Sequence, residues 1–341
     1  MKILITGGCG FVGATLARSL LARGQLAGRA LGTLVLADQA DAPADLRSDP
    51  RVQVRIGPLL DQCAALHTEA FDGVFHLASA VSGECELDFD LGMRSNLDST
   101  RALLDALRAA AQAGGTPARL VFSSSVAVYG PDGNRPLPAQ VADDTLPAPQ
   151  TSYGVQKLVC EHLIADYTRK GFIDGRSARL MTVTVRPGKP NGAASSFFSG
   201  IIREPLAGVE SICPVDPQVA HPVTSVANTV AGLIAVFEAS QEALGGRLAL
   251  NLPALNVRVC DMLDALEVVA GPKVRALVRF ERDPRIAGIV ANWPQGATAA
   301  RAKALGLKPD TDFAAIIRAY IAACQAQPDA ARTLAGLETR A

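Results

Sequence analysis

Tyr153 and Lys157 stand four residues apart in Tyr153-Gly-Val-Gln-Lys157, a spacing that puts a phenol and an ammonium on one face of a helix. A free phenol, with a pKa of about 10, is a poor base at neutral pH. A nearby cation favours the phenolate, and bringing the phenol near neutrality takes about 4 kcal/mol of differential stabilisation. The pair therefore predicts proton transfer by Tyr153, with Lys157 as the tuning charge. Upstream, Ser123-Ser124-Ser125-Val-Ala-Val-Tyr129-Gly130 closes an apolar stretch that reads as a strand. A hydroxyl at the carboxyl end of a central strand faces the crevice where ligands of open α/β sheets bind. There it can hydrogen-bond a reacting oxygen and aim it at Tyr153.

A second group of residues points to a dinucleotide. In Thr6-Gly7-Gly8-Cys9-Gly10-Phe11-Val12-Gly13, Gly7 permits a tight turn, Gly10 lets a diphosphate approach the backbone, and Gly13 lets helix pack on strand. The anion meets the free N–H groups at the start of the following helix, where Phe11 and Val12 stand. Asp38 ends the next strand, where a carboxylate accepts from both ribose hydroxyls and repels a 2′-phosphate. Gln39, Ala40 and Asp41 follow, with no close arginine, so the pattern predicts NAD rather than NADP.

The elements that must position these groups alternate. Strands are expected at Lys2–Thr6, Thr33–Asp38, 51–57, 72–78 and 119–124, with helices over about 11–23, 88–113 and 152–170. Nearly continuous apolar strands separated by helices mean a parallel sheet covered on both faces. The expected fold is thus α/β, a Rossmann-like doubly wound sheet. A loop over 131–149, a sixth strand at 181–186 and a helix at about 226–239 complete the reading. Residues 1–187 are expected to form the NAD-binding domain, joined again by the segment near 221–252. Residues 188–330 are expected to form a smaller, partly interleaved substrate lobe.

These motifs, in this order and spacing, resemble the extended short-chain dehydrogenases/reductases over roughly the first 190 residues. The resemblance implies that Ser125 polarises the substrate hydroxyl, Tyr153 is the general acid/base and Lys157 tunes it while holding the nicotinamide ribose. It implies cofactor contacts from Leu77 and Ala78 after the fourth strand, from Asn96 in a supporting helix, and from Pro187 in Arg186-Pro187-Gly188. Many members carry an acidic residue after the glycine that ends the third strand. Here Gly57-Pro58-Leu59 stands there, so adenine must be met by other groups, such as the backbone near Leu59.

The stretch 186–208, with Ala80-Val81-Ser82-Gly83, 88–92 and Asn251-Leu-Pro253, is similar to the sugar-acid dehydrogenases of that family that act on D-erythronate. That similarity implies NAD-dependent oxidation of the C2 hydroxyl of a four-carbon sugar acid. A carboxylate substrate wants a cation and several donors, and Ser82, Lys189, Ser195 and Arg203 are the candidates. A nucleotide-sugar epimerase is the alternative, its diphosphate falling to the cluster from Lys273 to Arg285. A non-catalytic NAD sensor would need neither Ser125, Tyr153 nor Lys157. The resemblance also implies a homodimer, through the helices near 88–113 and 152–170.

Composition fits these readings. In 341 residues, 49% are hydrophobic and 19% charged, with 33 basic against 33 acidic side chains. A chain of this size and apolar content buries a large core and is not disordered. Zero net charge offers no excess to neutralise a phosphate backbone, so nucleic acid is not an expected partner. No apolar run reaches the length of a signal peptide or a membrane span, and the seven cysteines are scattered singly. A cytoplasmic chain with reduced thiols and no metal site is expected.

Overall fold

The computed structural model describes residues 1–188 and 193–338. Seven parallel strands form the central sheet: β1 Lys2–Thr6, β2 Thr33–Asp38, β3 Val52–Ile56, β4 Gly73–His76, β5 Arg119–Ser125, β6 Asp174–Leu180 and β7 Leu250–Asn251. Their order across the sheet is β7-β6-β5-β4-β1-β2-β3. The chain order reverses beside β1, whose neighbours are β2 and β4. That reversal opens a crevice at the carboxyl ends of the strands, where such sheets bind ligands.

Alternate residues of one strand feed the two faces. Ile3 and Ile5 enter a core with Leu16, Leu20, Leu233 and Phe237, while Leu4 enters another with Leu103, Leu107 and Ile164. The helices α1 Phe11–Arg23 and α2 Ser152–Arg169 start at this carboxyl edge. The helix Val226–Glu238 packs on α1, and β7 follows it back into the sheet. A further core gathers Phe198, Ile201, Ile202, Leu263, Leu266, Phe313 and Ile317. Beside it lies a three-stranded sheet of Thr182–Val183, Ala220–Thr224 and Leu255–Arg258.

Two expected elements differ. The sixth strand is Asp174–Leu180, not 181–186; of the latter only Thr182–Val183 is extended, and it belongs to the smaller sheet. The sequence Asp-Gly-Arg-Ser-Ala-Arg-Leu hides a buried strand because its arginines look like surface residues. Arg179 is buried against Glu161 at 2.7 and 2.9 Å, and Arg176 pairs with Asp174 at 3.1 Å. The expected helix over 88–113 is broken into Phe89–Gly92, a π-helical turn at Met93–Asp98, and Ser99–Gln112. Close packing marks the break: a Cβ on Gly92 would sit 2.6 Å from the Gln156 amide nitrogen. π-Turns of this kind occur at functional sites, and this one carries Asn96.

Candidate active site

The chemistry-bearing residues converge on the carboxyl edge. A cavity of about 290 Å³ is lined by Ser82, Ser125, Tyr153, Lys157, Ser195 and Arg203 among the expected residues, together with Val12 and Leu77. Lys189 lies outside the described residues. Pro187 is exposed and does not line the cavity, whereas its neighbour Arg186 does.

Two contacts set Tyr153 against Ser125. Thr151 caps α2, its hydroxyl accepting from the Gly154 N–H at 3.1 Å. A Cβ on Gly154 would stand 2.3 Å from the Ala127 carbonyl oxygen, so only glycine allows the first turn of α2 to sit on the segment after β5. The Ser125 hydroxyl, which accepts from the Ala127 N–H at 3.1 Å, is thereby brought beside the Tyr153 phenol, near enough to favour its ionised form.

Lys157 is buried and donates to the Ser123 carbonyl at 2.8 Å, 5.5 Å from the centre of the Tyr153 ring. Its two other N–H bonds have no protein partner among the described residues. The expected lowering of the Tyr153 phenol by Lys157 is not what the free chain shows. Burial pushes Tyr153 up to about 12, opposed by the Ser125 hydrogen bond, and burial pushes Lys157 down to about 8. With its bond spent on Ser123, the ammonium leaves the phenol to desolvation.

That burial has a stability consequence. Between about 8 and the ordinary lysine value of 10.5, the unfolded chain binds more protons than the folded one, so this group makes stability rise with pH there. At neutral pH the buried charge is therefore a cost. Lys157→Met is expected to raise the unfolding free energy by ~1–3 kcal/mol at neutral pH while abolishing turnover. Urea denaturation checks it, and a less stable variant would mean that the bond to Ser123 outweighs the desolvation.

Around the glycine turn, Gly7 has φ +68°, and a Cβ on Gly13 would lie 2.1 Å from the Gly7 carbonyl oxygen, so helix and turn touch there. Gly10 is different: its nearest neighbour to an added Cβ is 3.5 Å away. The protein's own packing does not require glycine at Gly10, and no side chain caps α1, so its first N–H groups have no side-chain partner. Asp38 accepts from the Cys9 and Ala40 N–H groups at 2.9 and 3.1 Å, which fixes its carboxylate beside the turn. A backbone cradle, a helix start without a cap and a held carboxylate are what a dinucleotide requires.

Residues 3–250 match the family described as NAD dependent epimerase/dehydratase family. The chain belongs to it. Within this epimerase/dehydratase family, a D-erythronate dehydrogenase from Cupriavidus necator is 50% identical over 94% of this chain and 98% of its own length. One from Haemophilus influenzae is 40% identical over 94% and 99%. A solved structure described as a nucleoside-diphosphate-sugar epimerase from Agrobacterium tumefaciens superposes with a TM-score of 0.88 at 42% identity, covering 94% of both chains. The chain is accordingly a dehydrogenase that uses NAD, and its fold is the family's Rossmann-like one.

The remaining expected residues have definite places. Asn96 is buried and accepts from the Ala80 N–H at 2.7 Å and the Ser79 hydroxyl at 3.0 Å, while its amide donates to Gln156 at 2.8 Å. It thus shapes the segment leading to Ser82. Leu77 and Ala78 donate their N–H groups to the Thr6 hydroxyl, both at 3.2 Å, and the Ala78 backbone presses on Gly7. Leu59 starts the helix Leu59–Leu66 after Gly57 and Pro58. His76 is a packed core residue: Thr6 and Thr100 hold its two nitrogens at 2.7 and 2.8 Å, and burial pushes it down to about 3.

Arg203 is buried and ion-paired with Glu204, and it donates to the Arg186 carbonyl at 2.7 Å. Arg186 is the cation that sequence reasoning left out of the substrate set. Its side chain lines the cavity near Tyr153 and has no partner among the described residues; only its backbone N–H and carbonyl are engaged. The arginines at 275–285 stay on a solvated face, with Arg279 paired to Glu210 at 3.0 Å. Among the described residues, no helix is long and apolar enough to cross a membrane.

Proposed function

We propose that this dehydrogenase oxidises the C2 hydroxyl of a four-carbon sugar acid, D-erythronate to 2-dehydro-D-erythronate. The observation that carries the acid is Arg186. Arg186 is a half-buried guanidinium, partly desolvated and with no carboxylate beside it among the described residues, and a substrate carboxylate at that point offsets the desolvation with charge-assisted hydrogen bonds. The names of the two relatives, similar over nearly their whole length, point to the same substrate.

In this reading Tyr153 takes the C2 hydroxyl proton on its phenolate oxygen, and Ser125 donates a hydrogen bond to the substrate's C2 oxygen. NAD, when bound, would supply the acceptor for the C2 hydride, so that C2 would be left as a carbonyl. Deprotonation of Tyr153 needs positive charge in the cavity, and Lys157 supplies part of it from within reach of the ring. Gly7, Gly10, Phe11, Val12, Gly13 and Asp38 hold the diphosphate and adenosine side. Residues 1–187 with the segment near 221–252 carry the cofactor side, and residues 188–330 shape the substrate end together with Ser82, Thr182, Arg186 and His221 on the cavity wall. The site of action is the cytoplasm.

The test is NADH absorbance on mixing the protein with NAD and, separately, D-erythronate, L-threonate and D-threonate. A rise with erythronate is expected. The description of the Agrobacterium tumefaciens structure favours a second reading, a nucleotide-sugar epimerase. Turnover of a nucleotide sugar with no rise for any acid would replace the first reading by this one.

A homodimer belongs to the same proposal. Leu87 and Phe89 are 84% and 60% exposed, and Val155 and Val159 on α2 are 47% and 38% exposed. Phe89, Val155 and Val159 border one groove, shared with Met93 and Leu97. An apolar face of this kind is covered in a stable protein. Light scattering is expected to give the mass of two chains, falling to one in Val155→Asp. A wild-type mass of one chain at micromolar concentration would sink the dimer.

A further inference from the structure

His221 and Trp293 carry no role in the sequence reading, yet both line the cavity, with Thr182 and Pro294 beside them. His221 is held from all sides. Its ring stacks on Phe198 at 4.9 Å and 9°, and Trp293 closes the other side at 5.3 Å. One ring nitrogen, Nδ1, is 3.2 Å from the Pro294 carbonyl oxygen, and the other, Nε2, is 2.7 Å from the Thr182 hydroxyl.

This arrangement leaves one assignment of protons. A carbonyl oxygen only accepts, so Nδ1 carries the hydrogen and donates to Pro294. Burial pushes His221 down to about 4, so the ring is neutral at physiological pH and Nε2 is a bare lone pair. The Thr182 hydroxyl must then donate to Nε2. Its single hydrogen is spent, and only its oxygen lone pairs are left for the cavity. Thr182 can accept from a ligand and cannot donate to one.

We propose that Thr182 reads a hydroxyl of the substrate beyond C2, and that His221 is the positioning residue that holds it as an acceptor. The inference rests on the sugar-acid reading and deepens it. An acceptor-only oxygen repels a carboxylate and welcomes an alcohol, so the acid end goes to Arg186 and the polyol end to Thr182. It also gives a reason for discrimination: an analogue lacking the hydroxyl leaves the free lone pairs of the Thr182 oxygen without a donor.

The experiment compares kcat/KM for D-erythronate with that for 2-hydroxybutanoate of the same C2 configuration, which keeps the acid and the reacting hydroxyl and lacks the others. In Thr182→Val the ratio is expected to fall about tenfold, with the loss in KM rather than kcat. Thr182→Ser, which keeps the hydroxyl, is expected to hold the ratio within about threefold. His221→Phe keeps the stacking and frees the hydroxyl; it is expected to lose the same discrimination, and the double variant to lose no more. An unchanged ratio in Thr182→Val, or a Ser variant as poor as Val, overturns the proposal. Nitrogen NMR of the wild-type ring is independent of turnover and of variant folding: a protonated Nδ1 and bare Nε2 support it, and the reverse overturns it. If the wild type oxidises neither acid, the sugar-acid reading falls, and the ring nitrogens still decide whether Thr182 is held as an acceptor.

Discussion

Tyr153→Phe is expected to lower kcat for erythronate oxidation by about three orders of magnitude, with NAD affinity within about twofold of wild type. The substitution keeps the ring and removes one oxygen, so the packing of α2 on the segment after β5 survives. What goes is the group that receives the C2 proton. Because Tyr153 stands at about 12 in the free chain, the deprotonated form is scarce at neutral pH, and kcat/KM of the wild type should rise with pH as that form grows. In Tyr153→Phe the rising limb should vanish along with the rate. Initial rates of NADH formation across pH, beside NAD titration by protein fluorescence, check both parts. A variant that retains a tenth of the wild-type rate would mean that another base takes the proton.

Arg186→Ala carries the second large effect. The loss of the cation leaves a substrate carboxylate without its partner, at about 2–5 kcal/mol, or roughly 30- to 5000-fold in kcat/KM. Arg186→Lys keeps the charge and loses the planar fork, so about a tenfold loss is expected. The discriminating measurement uses erythronamide, which has the hydroxyls and no charge. Wild type should prefer the acid strongly, and Arg186→Ala should not. If the preference persists, the carboxylate sits elsewhere. Arg203 is the poorer candidate because Glu204 already neutralises it.

The sugar-acid reading and the fold have different roots in the sequence. The glycine turn, Asp38, the Ser123–Ser125 run and the Tyr153/Lys157 pair are legible because each works through neighbours along the chain. A turn needs its glycines in a row, a phenol and an ammonium share a face at i and i+4, and an apolar strand announces its own burial. The strands β1, β2, β4 and β5 were readable for the same reason. β6 was not: Arg176 and Arg179 mimic a surface stretch until Asp174 and Glu161 are brought beside them.

The sequence by itself thus determined the doubly wound order of elements and pointed to the candidate dinucleotide turn and the hydroxyl–phenol–ammonium set. The tertiary structure alone decided which cation is left for a ligand. Arg203 and Arg186 look alike in the sequence, and the ion pair that Glu204 makes with Arg203 alone separates their fates. It also decided that His221, isolated in sequence, stands between Thr182 and Pro294 on the cavity wall. The protonation of Tyr153 follows the same rule, since desolvation depends on what surrounds a side chain. Local geometry is written in neighbouring residues, whereas pairing and burial depend on distant ones, which only the folded chain brings together.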